Sequence, residues 1–109
     1  MFFFGTNKIN SVNVEEAFEK SKSSDTVLVD VREVSEYRDL HAEGAINMPL
    51  SGLDSKEADK LKKYQTVYVI CQSGGRSMRA AAFLKENSID AVNVLGGTSM
   101  WVAKKLPTK

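Results

Sequence analysis

A chain of 109 residues, 42% apolar and 27% charged, is long enough for one domain that buries roughly two-thirds of its unfolded surface. Its 15 basic and 14 acidic residues are interleaved and leave a net charge of +1, so neither a nucleic-acid stripe nor a membrane-binding face is expected. The single cysteine excludes an internal disulfide, a CxxC redox pair and a cysteine-rich zinc site, and it favours a reducing compartment.

Taken in chain order, Met1-Phe2-Phe3-Phe4-Gly5 is apolar but too short for a signal peptide and has no basic residue before it. The phenylalanines are expected to fill a groove in their own domain, and a homodimer through this apolar start is the alternative. Asn13 followed by Glu16 has the form of a capping box, with Val14, Ala17 and Phe18 at helical spacing behind it. Thr26 to Val31 is a run without polar alternation, as in a strand covered on both faces. Ser35 to Leu40 predicts a short helix presenting Val34, Tyr37 and Leu40, and Pro49 biases Met48 towards extended backbone. Asp54 and Ser55 are suitable caps for a second short helix that carries Ala58 and Leu61.

Thr66 to Ile70 is the second continuously apolar strand. Arg76 to Asn87 predicts a longer helix with Met78, Ala81, Ala82 and either Phe83 or Leu84 inward. Ala91 to Leu95 is a third strand ended by Gly96-Gly97, after which Thr98 caps a last helix holding Met100 and Trp101, stopped by Pro107. No run is long enough to cross a bilayer. The chain is read as one soluble, cytoplasmic domain over residues 1–109 that uses no cofactor or metal.

Strands alternating with helices imply an α/β fold with a largely parallel sheet covered on both sides. Ligands in such sheets bind beyond the carboxyl ends of the strands, which is where Cys71 follows Ile70. A free cysteine is only about 3% ionised at pH 7, and lowering its pKa by about two units takes about 2.7 kcal/mol in favour of the anion. A helix amino terminus and a few converging amides suffice for that. Ser73-Gly74-Gly75 supplies the small, conformationally free residues that let amides converge, and Arg76 adds positive potential. The only histidine, His41, lies in a turn-like segment and is read as a hydrogen-bonded structural residue, which leaves a hydrolase poorly equipped. Attack on the outer sulfur of thiosulfate needs no general acid, because the departing sulfite is a stable anion.

Three patterns together resemble the single-domain rhodaneses, a sulfurtransferase family. Asp30-Val31-Arg32-Glu33, Glu36-Tyr37 and His41 through Gly44 to Pro49 are similar to the family's amino-terminal signature. Cys71-Gln72-Ser73-Gly74-Gly75-Arg76-Ser77 is similar to its active-site loop, and Leu95-Gly96-Gly97 with Trp101 to its carboxyl-terminal signature. The resemblance implies a rhodanese-like, mostly parallel five-stranded sheet with helices on both faces. It also implies that Cys71 carries a persulfide and that Gln72, Ser73, Gly74, Gly75, Arg76 and Ser77 surround the substrate. The donors it implies are small sulfur-containing anions or persulfides, and the acceptors are cyanide, a thiol or a carrier protein. Leu40 and Ala42 depart from the family pattern around His41, and Gln72 stands where many members carry a cation.

Two alternatives come from other classes: a small cysteine phosphatase or arsenate reductase, and a non-catalytic docking domain. Phosphatases of this fold place one residue more between cysteine and arginine than the four here, Gln72 to Gly75. The shorter ring favours a lone sulfur atom over a phosphoryl group. Arg76 has two readings at this stage: it faces the substrate, or it braces the loop against an acid such as Asp30 or Glu33.

Overall fold

The computed structural model describes residues 8–109, so the phenylalanine-rich start lies outside the described residues. Five strands form one sheet in the order β1-β5-β4-β2-β3, and every neighbouring pair is parallel. These are β1 (Asn10–Val12), β2 (Thr26–Asp30), β3 (Ile46–Asn47), β4 (Thr66–Ile70) and β5 (Ala91–Val94). The helices between them are α1 (Val14–Lys20), α2 (Val34–Asp39), α3 (Ser55–Asp59) and α4 (Gly75–Glu86), and α5 (Gly97–Ala103) follows β5. The fold is therefore α/β, as the alternating elements imply.

The two central strands explain their own composition. Val27, Val29, Val67 and Val69 point to one face, where they join Ala58 and Leu61 of the α3 region and Ala80, Ala81 and Leu84 of α4. Leu28, Tyr68 and Ile70 point to the other face and pack with Val14 and Ala17 of α1 and Trp101 of α5. Both faces are covered, so alternate residues are all apolar and the run shows no polar period. Parallel pairing also brings the carboxyl ends of β2, β4 and β5 together, and with them the loops that follow.

Local signals act where the sequence puts them. Asn13 caps α1 by accepting from the Glu16 N–H at 2.8 Å, and Asp54 caps α3 by accepting from the Glu57 N–H at 2.9 Å. Glu16 does not complete the reciprocal half of a capping box; its carboxylate pairs with Lys20 at 2.7 Å.

Three further expectations need correction, and one strand is added. Helix α2 begins at Val34, with Glu33 as its cap, rather than at Ser35. Helix α4 buries Ser77, Ala80, Ala81 and Leu84, while Met78 is exposed. Thr98 does not cap α5; Gly96 holds that position in a left-handed conformation, and Thr98 lies inside the helix. Strand β1 is an addition at the sheet edge, paired with β5.

Candidate active site

Strand β4 delivers Cys71 into the turn that opens α4. Its residue surface is 1% exposed, beneath a loop whose outer positions, Ser73 and Gly75, are exposed. The loop folds back on the sulfur: the Gly74 N–H donates to Cys71 Sγ at 3.0 Å, and the thiol lies 3.3 Å from Ser77 Oγ. Gly74 adopts φ +125°, a conformation that L side chains rarely enter, so glycine suits this turn of the loop. Burial pushes the thiol up, yet the Ser77 hydroxyl and the N–H groups of Ser77, Gly74 and Ser73 outweigh it and hold the Cys71 pKa below its ordinary value.

The remaining loop residues take different directions. Gln72 turns sideways, accepting from Arg32 Nη1 at 3.1 Å and donating to Ser99 Oγ at 2.8 Å. Arg76 reaches across to α2, where its fork meets both carboxylate oxygens of Glu36 at 2.7 and 3.0 Å. The brace is thus Glu36, not Asp30 or Glu33. Glu33 accepts from Ser51 Oγ at 3.0 Å, and Asp30 is taken up by Arg32.

Asp30 and Arg32 form the ion-pair scaffold expected at the end of β2. The buried carboxylate receives Arg32 Nε at 3.1 Å and Nη2 at 2.9 Å, and Nη2 also donates to the Leu40 carbonyl at 2.6 Å. His41 stacks on Tyr37 with ring centres 3.7 Å apart, and its Nδ1 sits 2.7 Å from the Tyr37 carbonyl. The His41 contacts are structural and do not reach the cysteine loop, whereas Arg32 touches it through Gln72.

The Gly96-Gly97 turn locks the loop from behind. The Thr98 N–H donates to the Cys71 carbonyl at 2.8 Å, and the Ser99 N–H donates to that of Gln72 at 3.1 Å. Thr98 Oγ1 adds a second bond to the Cys71 carbonyl at 3.1 Å. A Cβ on Gly97 would stand 2.5 Å from both of those carbonyl oxygens, so only glycine permits the approach.

Two residues join the site to which the sequence assigns no role there: Glu36, which it shows only within the family signature, and Asn93. Glu36 lies on the helix that follows β2, at the same sheet end as the loop, and that placement was the available signal. Asn93 is a buried amide in the otherwise apolar strand β5, and its Oδ1 lies 2.6 Å from Ser77 Oγ. A polar residue inside a strand buried on both faces is itself informative.

A cavity of about 500 Å³ lies beside Gln72, with Arg32, Glu36, Asp39 and Ser99 in its wall. Among the described residues no three His, Cys, Asp or Glu side chains cluster closely enough to hold a metal ion. None of the described helices is long and apolar enough to cross a membrane.

A family model for the rhodanese-like domain matches residues 13–104, which include every element from α1 to α5 and the whole loop. The chain belongs to the rhodanese-like domain family. Among its relatives, the putative sulfur carrier protein YrkF of Bacillus subtilis is 38% identical over 92 residues, 82% of this chain and 49% of that protein. Thiosulfate sulfurtransferase 16, chloroplastic, of Arabidopsis thaliana is 38% identical over 94 residues, 74% of this chain and 78% of its own. The crystal structure of a rhodanese-related protein from Thermoplasma volcanium superposes with a TM-score of 0.75 at 29% identity, covering 92% of this chain and 97% of that one. This rhodanese-like domain spans about half the length of the Bacillus relative.

Proposed function

We propose that this rhodanese-like domain is a sulfurtransferase that carries sulfane sulfur on Cys71. The observation that carries the reading is the pair of contacts on Sγ, the Gly74 N–H at 3.0 Å and Ser77 Oγ at 3.3 Å, made by a loop with only four residues between Cys71 and Arg76. Donors that hold a thiolate also hold the terminal sulfur of a persulfide, which is equally anionic.

In the first step Sγ attacks the outer sulfur of the donor. An S–S bond to Cys71 forms, the donor's S–S bond breaks, and its electron pair leaves with sulfite or with a thiolate. In the second step an acceptor thiolate or cyanide attacks the terminal sulfur and Cys71 departs as thiolate. Charge balances at each step and no external oxidant or reductant is required. Ser73, Gly74, Gly75 and Ser77 are the proposed contacts to the transferred sulfur. Gln72 borders the neighbouring cavity, where the rest of a donor or acceptor would rest. Arg76 acts on the loop through its bond to Glu36.

The charge around the loop favours persulfide donors over thiosulfate. Arg32 and Arg76 each carry a carboxylate of their own, and Gln72 brings no charge. A carrier-protein acceptor is in keeping with the name of the Bacillus relative. A thiolate kept ready for reaction suits a reducing, cytoplasmic setting.

Intact-mass measurement after incubation with glutathione persulfide, and separately with thiosulfate, tests the reading. One added sulfur atom is expected, removed by cyanide and absent from Cys71→Ser. No adduct with either donor overturns it.

A further inference from the structure

Behind the cysteine lies a short line of polar groups that runs into the sheet. Ser77 and Asn93 are both buried, and the order is Cys71 Sγ, Ser77 Oγ at 3.3 Å, Asn93 Oδ1 at 2.6 Å, then Asn93 Nδ2 to Ser11 Oγ at 3.3 Å. Ser77 Oγ also lies 3.1 Å from the Gly74 carbonyl. A hydroxyl has one proton to give and can accept from others. With Cys71 as a thiol, its S–H donates to Ser77, Ser77 donates to Asn93 Oδ1, and Asn93 donates to Ser11.

Ionisation breaks that order. The thiolate accepts only, so the Ser77 proton must turn towards sulfur, and two bare acceptors are then left 2.6 Å apart in a buried place. A half-turn of the Asn93 amide removes the conflict, because Nδ2 then donates to Ser77 Oγ and Oδ1 accepts from the Ser11 hydroxyl. We infer that Asn93 is a positioning residue whose amide reverses when Cys71 ionises, which frees the Ser77 proton for the sulfur anion. The inference rests on the sulfurtransferase reading only for the use made of the thiolate. An asparagine serves here because it presents a donor and an acceptor at one site; aspartate offers only the acceptor.

Other groups could couple to the same titration. From α4, Arg76 acts on the cysteine only through its charge, its fork being held by Glu36 of α2. At the end of β2 stand Asp30 and Arg32, paired with each other. Strand β5 and helix α5 contribute Asn93, Gly97 and Thr98, none of which titrates.

The test needs no sulfur donor, so it stands apart from the outcome of the persulfide experiment. In the wild-type protein the Asn93 side-chain amide resonances are expected to move with pH at the midpoint of Cys71 alkylation and to stay fixed in Cys71→Ser. Resonances that stay fixed through that midpoint in the wild type overturn the inference. Asn93→Asp is expected to raise the apparent Cys71 pKa by about one unit or more with Ser77 present, and by less than half as much in the Ser77→Ala background. An equal shift in both backgrounds would mean direct charge repulsion and overturns the role through Ser77. If Asn93→Asp does not fold, the wild-type resonances decide.

Discussion

Arg76 and Glu36, forty positions apart, meet as a guanidinium fork on a carboxylate, with Nη1 on Oε1 at 2.7 Å and Nη2 on Oε2 at 3.0 Å. The bond ties α4, which opens on the cysteine loop, to α2, which follows β2. It also spends the positive charge that the sequence places nearest the sulfur. Hydrogen bonding to Arg76 holds the Glu36 pKa down at about 2.

Releasing that fork changes donor preference. Glu36→Gln keeps the shape of the side chain and removes its charge, so Arg76 regains positive potential beside the loop. Thiosulfate turnover, read as kcat/KM, is expected to rise about three- to tenfold, with little change for glutathione persulfide, which sits at the low end of electrostatic focusing. The rise should fade at high ionic strength. An unchanged thiosulfate rate would show that Arg76 exerts no field on the donor.

The same pair gives a pH signature in stability. The folded pKa of Glu36, about 2, lies below the unfolded value of about 4.3, so its contribution is complete above the unfolded pKa and disappears as pH falls through the folded one. Because both side chains are about one-third exposed, at 32% and 33%, solvent screening limits the effect to about 1 kcal/mol or less. Urea denaturation should find wild type above Glu36→Gln at pH 7, with the gap closing between pH 4.3 and 2. A gap of equal size at both ends of that window would place the loss elsewhere in the molecule.

The sequence made the covered sheet legible because two five-residue strands must satisfy two apolar faces at once, and Thr26–Asp30 and Thr66–Ile70 do so in plain view. The site was half legible. A lone cysteine after an apolar strand, followed by serine and glycines, marks the place, but the groups behind it do not look functional in one dimension. The inward phase of α4 is hidden for that reason. Its register passes through Ser77, so a reading that follows apolar residues selects Met78 instead and turns the helix by one position. Asn93 is inconspicuous within a strand of alanine and valine. Strand β1 has three residues, two of them exposed, and nothing but its partner β5 defines it.

Two glycines of the site should respond oppositely to alanine. At Gly97, φ is +58° and the new Cβ would stand 2.5 Å from backbone oxygens of Cys71 and Gln72, which cannot move without opening the loop. Gly97→Ala is expected to cost about 2 kcal/mol or more in chemical denaturation and to impair persulfide formation. At Gly75 a Cβ meets nothing within 4 Å, so Gly75→Ala should be neutral or stabilise the start of α4 by about 0.5 kcal/mol. Equal losses at both positions would mean that backbone freedom, rather than the close approach, matters in the turn.

Arg32 is predicted to matter for folding before it matters for catalysis. It is buried and joins three partners: the Asp30 carboxylate, the Leu40 carbonyl and Gln72 Oε1. Arg32→Met leaves the Asp30 carboxylate buried with its guanidinium partner removed, an expected loss of about 3–5 kcal/mol. Arg32→Lys restores the charge but cannot reproduce a planar fork that reaches three acceptors, so it should fall between the two. The double variant Asp30→Asn with Arg32→Met removes both charges and should recover much of the loss, since an unpaired buried ion is the main penalty. Urea midpoints of the four proteins check this order. If the double variant is no more stable than Arg32→Met, the cost lies in the lost bonds to Leu40 and Gln72, and the pair acts mainly by holding the loop that follows β2 against the one that follows β4.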